Sequence, residues 1–244
     1  MHRERVLLVG GQRALLMQLA HPLVAAGVAE HSDFPARALE RLRRTIDLTL
    51  AIVFGTEDEA RAATGAIRAV HDRVTGATAA GAYSANDPRL LLWVNATLID
   101  TTMAVYERFV RPLPAAAWRR YYEESRASAE LFGIPAEVIP GDLRAFRAYL
   151  AGMLAGAELW ATPESRRLAH AVLRPPLSLP LRVPTAAVRQ LTLALLPRRV
   201  ADVFGLRAGV RARFALAAAS AASRTALPLL PPVLREFTAA RGRR

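Results

Sequence analysis

The sequence predicts an all-α fold without a significant sheet, on three observations. Ala and Leu dominate its 52% hydrophobic content, and both are strong helix formers. The β-branched and aromatic residues that favour strands are comparatively few. Apolar residues also recur at three- to four-residue spacing through most of the chain. At 244 residues the chain suits one large domain, or at most two small ones, and is long enough to enclose a cofactor-sized pocket.

The elements follow in order. Residues from about Gly11 to Gly27 read as a helix that bends at His21-Pro22, because proline removes a backbone hydrogen bond. Ser32-Asp33-Phe34-Pro35 is a turn opening a helix over Ala36–Phe54 that stops at Gly55. A further helix spans Glu57–Val74, and the small, polar stretch Thr75–Asn86 reads as a loop. Asp87-Pro88 caps a long helix whose Leu91, Val94, Leu98, Thr101, Val105 and Phe109 share a buried face. Pro112 and Pro114 end it, and another helix through Trp118, Tyr121, Tyr122 and Phe132 stops at Gly133. Asp142 caps a helix carrying Phe146, Leu150 and Met153, and Thr162-Pro163-Glu164 begins a short one. Pro175, Pro176, Pro180 and Pro184 mark a connection. This divides the chain into a core, 1–174, and a basic helical extension, 175–244, expected to pack on it. The extension holds an apolar segment, Val188–Leu196, an Ala-rich helix, Arg211–Arg224, and a frayed end at 241–244.

Cysteine is absent, which excludes disulfides, thiolate metal sites and cysteine nucleophiles. No secretory signal and no apolar run of transmembrane length is seen, so a cytoplasmic location is expected by elimination. Lysine is also absent, and all 33 basic residues are arginines. Residues 1–160 hold 18 arginines and 18 acids, whereas 161–244 hold 15 arginines and only Glu164, Asp202 and Glu236. The formal charge of +12 therefore lies entirely in the last third. Genomic base composition accounts for missing lysine but not for missing acids. With no nucleic-acid-binding motif present, an anionic membrane surface is the expected contact for residues 166–244.

Two features point to chemistry. His71 lies among Ile67, Val70 and Val74 on the apolar side of its helix, where burial favours the neutral imidazole that can ligate a metal. A core histidine satisfied by a carbonyl is the plainer alternative. Arg41, Arg44 and Thr45 stand at i, i+3 and i+4 on a face that continues to Leu48 and Ile52. Pointed inward, they suit a carboxylate or phosphate; pointed outward, they are a solvated surface paired to Glu40 or Asp47. His21 and His31 flank the loop leading into this helix, and neither has a metal-ligand spacing with a neighbour. Asn95 sits beside Leu91, Leu92 and Leu98 as a candidate buried polar group.

Several stretches in consistent order carry a resemblance. They are Gln12-Arg13 through His21-Pro22, Gly27, His31-Ser32-x-Phe34, Arg41-x-x-Arg44-Thr45 and Ala69-Val70-His71. Tyr83-Ser84-Ala85-x-Asp87-Pro88, Leu92-Trp93-Val94 and Tyr106-Glu107-Arg108-Phe109 continue it. Over about residues 10–155 the chain resembles the family of latex-clearing protein (rubber oxygenase) and the MpaB-type oxygenases. The resemblance implies a globin-like helical fold holding heme b, with O2 and a small apolar, isoprenoid-like substrate. It implies His71 as the proximal iron ligand, with Arg41 and Arg44 near the propionates or the distal side. Thr45 and His21 would then line the pocket. Two positions depart from the relatives. Arg44 replaces the lysine of the rubber-cleaving branch, and a guanidinium stays protonated and cannot coordinate iron. Asn95 stands where MpaB-like relatives commonly carry histidine. A heme-free helical domain binding a lipid or other apolar ligand is the alternative that the same fold allows.

Overall fold

Helix starts follow the capping signals in the sequence. The computed structural model describes residues 1–32, 38–175 and 179–238, and at 38–42 and 179–182 the backbone alone. After a 3-10 segment at Arg5–Gly10 come α1 (Gly11–Leu19), α2 (Pro22–His31), α3 (Ala38–Phe54) and α4 (Glu57–His71). The short strands β1 (Thr75–Thr78) and β2 (Gly81–Ser84) precede α5 (Pro88–Phe109), α6 (Ala115–Leu131), α7 (Leu143–Ala155) and α8 (Pro163–Leu173). Then follow α9 (Leu179–Leu195), α10 (Arg198–Phe204), α11 (Val210–Ala226) and the single turn α12 (Pro232–Arg235). Thr56 forms a reciprocal capping box with Glu59 at α4, while Asp87, Asp142 and Thr162 accept from backbone N–H groups at α5, α7 and α8. Each cap satisfies donors that would otherwise lack partners and contributes ~1 kcal/mol.

The core is helix on helix. Leu16, Met17 and Leu19 of α1 meet Trp93 of α5, Leu168 and Val172 of α8, and Val200 of α10. A second, aromatic cluster joins α5, α6 and α7 through Tyr106, Trp118, Tyr122 and Phe146. In the C-terminal third, Leu191 and Leu195 of α9 and Leu216 of α11 close over Val105 and Phe109 of α5. The chain ends meet: the Phe237 amide donates to the Arg3 carbonyl, and the buried Glu4 and Glu236 share Arg235.

Several sequence expectations change. Residues 75–86 are not a plain loop, because β1 and β2 pair as an antiparallel hairpin with Gly76 opposite Tyr83. Tyr83 anchors it, its buried ring packing on Ala26 and Leu90 while its hydroxyl donates to Glu30 at 2.6 Å. Gly81 turns the chain at φ +123°, a conformation glycine adopts without strain. Helix α4 ends at His71 rather than Val74, which returns to His71 through a turn. The apolar segment 188–196 is the second half of α9, a helix that holds Pro184 inside it, and α10 is an unforeseen helix. The predicted turn at 33–35, the start of the next helix at residue 36, residues 176–178 of the proline-rich connection and the end at 241–244 lie outside the described residues.

Candidate functional site

His71 is the last residue of α4 and is held from its C-terminal side. The Asn86 side chain donates to Asp72 at 2.7 Å, and β1 and β2 follow directly. Gly27 lets α2 approach Val74 and Tyr83 closely, while the His31 Nε2 donates to the Thr75 carbonyl at 3.1 Å. The backbone beside His71 is therefore tied to α2 and to the start of α5. The imidazole itself is half-buried and makes no hydrogen bond among the described residues. Burial lowers its pKa against the opposing pull of Asp72, so it is neutral at pH 7. Neutrality and a free ring nitrogen are what metal ligation requires. Its neighbourhood is more open than the spacing implies: Val70 is 40% exposed, and the buried side of α4 is Ala60 and Ala63. Val74 lies beyond the helix end, so it does not extend that face.

Helix α3 packs on α4 as an antiparallel hairpin turned at Gly55. Residues 41–45 stand about as far before Gly55 as 65–69 stand after it, which sets them beside the last turns of α4. Of the two orientations the sequence allows, the described residues take the outward one. Arg44 and Thr45 are exposed, Arg43 pairs outward with Asp47, and Arg44 makes no hydrogen bond or ion pair among the described residues. The side-chain placement of Arg41 lies outside the described residues. The physical reason is the neighbour: α3 rests chiefly on α4, and no second layer covers it at residues 43–45 and 47, which face water.

His21 occupies the kink between α1 and α2, at the N-cap of α2. Its ring is half-buried, with Nδ1 enclosed and without a hydrogen-bond partner. Burial lowers its pKa, and Glu158 and then Asp87 act in the opposite direction. The Trp160 amide donates to the Ala20 carbonyl, which draws the segment after α7 over this kink. The fully buried Trp93 packs in the same cluster as Ala20 and Ala25, and its indole N–H is likewise unpartnered. His21 thus lies at the N-terminal end of α2, and His71 is tied to its C-terminal half. No hydrogen bond or ring contact joins them among the described residues.

Asn95 is half-buried and lines a small, partly open hollow of about 10 Å³ between α5, α6 and α7, together with Tyr122, Ser125, Arg126 and Ile139. That is room for about one water, far short of the several hundred Å³ an organic cofactor occupies. Among the described residues, no three His, Asp or Glu side chains come together as a metal cage would need.

Sequence reasoning overlooked Arg13, the most buried arginine among the described residues, 4% exposed on α1. Its guanidinium donates to Asp100 at 2.6 Å, to Thr101 at 2.6 Å and to the Leu195 carbonyl at 2.9 Å. Gln12 donates to the Val172 carbonyl and accepts from Thr192, while Gln18 donates to Thr97. Three polar side chains of α1 thus bolt α5, α8 and α9 together. The available signal was a charged residue in a helix whose other side chains are apolar or uncharged.

The profile of the family described as "ER-bound oxygenase mpaB/B′/Rubber oxygenase, catalytic domain" matches residues 1–225. Two curated relatives, from Mycobacterium bovis and Mycobacterium tuberculosis and both named only as uncharacterized proteins, are each 29% identical over 150 residues. The alignment covers 59% of this chain and 59% of each relative, so the chain spans about three fifths of the length of the curated relatives it matches. No solved structure matches.

Proposed function

This chain belongs to the family of mpaB/B′ and rubber oxygenase catalytic domains, and we propose that it is a heme b-dependent oxygenase acting with O2 on a small apolar substrate. The observation that carries the reading is His71, a neutral imidazole on a tethered helix end that makes no hydrogen bond among the described residues. A non-heme iron site needs about three side-chain donors. The described residues offer no such group, whereas a macrocycle needs one protein imidazole. The donor chemistry therefore fits heme. Bound heme would supply redox-active iron, tuned by its axial imidazole.

The remaining roles belong to this chain's own side chains. The guanidinium of Arg44, exposed and without a partner among the described residues, suits the propionate carboxylates at the solvent edge of such a cofactor better than its distal face. Arg41, on the same helix, is proposed for the same task. Thr45 supplies a hydroxyl beside them. His21 holds an enclosed Nδ1 that can give or take one hydrogen bond at the kink, next in sequence to Ala20 of the apolar cluster that holds Trp93, and is proposed to face an apolar substrate there. No helix of the described residues is long and apolar enough to cross a membrane.

Expression with heme supplementation tests the reading. The expected result is a Soret band with one iron per chain, and loss of most bound heme in His71→Ala. Colourless protein would sink the heme assignment; full heme retention and an unchanged spectrum in His71→Ala would sink the ligand assignment.

A further inference from the structure

The two faces of α11 do not divide into apolar and polar. Ala212, Leu216 and Ser220 are buried against α9 and α5. The opposite face should be polar in a surface helix, yet it carries Val210, Phe214, Ala217, Ala218 and Ala221, all exposed. Val210 is 68% exposed and Phe214, one turn on, 72%. On the helix, Arg211 and Arg213 flank these two on either side, Arg207 stands three residues before Val210, and Arg198 and Arg199 open α10. Arg199 is used in the fold, donating to the Leu159 carbonyl, and Arg198 reaches Asp202. Arg207, Arg211 and Arg213 are exposed and make no hydrogen bond or ion pair among the described residues.

The shortage of acids isolates this charge. Of the three acids after residue 160, Glu164 pairs with Arg167, Asp202 with Arg198, and Glu236 is buried at the chain ends. We propose that the α10–α11 corner docks on an anionic lipid bilayer, with Phe214 and Val210 entering the headgroup–acyl boundary and Arg207, Arg211 and Arg213 pairing with lipid phosphates.

Three arguments select a bilayer. Guanidinium pairs with phosphate through two parallel hydrogen bonds, and the large apolar side chains stand between such groups, the pattern of interfacial helices. Val210 and Phe214 are highly exposed one helical turn apart, and a fluid surface can accept them without a preformed pocket. A second copy of this chain is disfavoured, because two arginine corners would face each other at a self-complementary contact. The inference is independent of heme and of His71.

The test is flotation with vesicles of equimolar phosphatidylglycerol and phosphatidylcholine, against phosphatidylcholine alone. Wild type should float with the anionic vesicles only. A combined Arg207→Glu/Arg211→Glu/Arg213→Glu variant should lose on the order of 100-fold in partitioning, and Phe214→Ala about tenfold. Arg119→Glu/Arg144→Glu/Arg147→Glu, with the same charge change on exposed parts of α6 and α7, should lose only a few-fold. Equal losses in both triple variants, or equal floating with neutral lipid, would overturn the proposal. So would displacement by duplex DNA together with no effect of Phe214→Ala, which would mark a general polyanion surface. Concentration-dependent dimers abolished by Phe214→Asp would assign the face to a second copy instead.

Discussion

Replacing Arg13 with methionine isolates the most consequential buried charge in the fold. Methionine keeps most of the apolar stem, so packing against the α1 core changes little. The substitution removes three hydrogen bonds, to Asp100, Thr101 and the Leu195 carbonyl, and leaves Asp100, only 23% exposed at its side chain, without its cation. Neutralising one member of a buried pair costs about 3–5 kcal/mol, because the remaining charge stays desolvated. In a domain of this size each kcal/mol shifts Tm by about 2–4 °C, so a fall of roughly 6–20 °C is expected. Urea unfolding of Arg13→Met, Asp100→Asn and the double variant measures the coupling, expected at ~1.5 kcal/mol or more. A loss below ~1 kcal/mol for Arg13→Met, or additive single losses, would refute the bolt that joins α1 to α5 and α9.

Acid should destabilise the chain through His2, whose pKa burial lowers to about 4. The folded state favours the neutral ring, so this contribution is complete above pH 6.5 and is lost as pH falls towards 4, worth ~3 kcal/mol. Unfolding free energy followed against pH should flatten over that window in His2→Gln, and an unaltered profile would contradict the assignment. Gly76→Ala places a Cβ 2.6 Å from the Tyr83 hydroxyl, which Glu30 holds in place. It should cost about 1–3 kcal/mol, and a loss under ~0.5 kcal/mol in urea unfolding would show that the hairpin yields freely. Amide hydrogen exchange should be faster over 43–54 than over α1 or α5, since α3 rests chiefly on α4. Heme addition should slow exchange selectively across α3 and α4; uniform slowing would argue against a site at their junction.

The fold was legible where the sequence states local chemistry. Asp87, Asp142 and Thr162 announce helix starts because each satisfies a backbone donor within three residues. The hairpin at 75–84 was not legible, because it depends on Tyr83 reaching Glu30, 53 positions away. Orientation on α3 failed for a related reason. Arg44 and Thr45 share a face with Leu48 and Ile52, yet only contact with a second layer could turn that face inward, and α3 has chiefly α4 beside it. Arg13 escaped for the opposite reason: its three partners lie 87, 88 and 182 positions away, and no local pattern pairs them.

These differences separate two uses of arginine in one chain. At Arg13 each guanidinium nitrogen donates to a fixed acceptor, so the charge serves the fold rather than a ligand. At Arg44 the guanidinium is exposed beside the last turns of α4 and has no partner among the described residues, so it is available to an anion. His71 has the same character, with a free ring on a backbone fixed by Asp72, Asn86 and the hairpin. Rigid attachment of the main chain together with unspent side-chain donors is the combination that a cofactor site requires. On that criterion the candidate centre is the end of α4 with the facing stretch of α3, rather than the more densely bonded interior around α1.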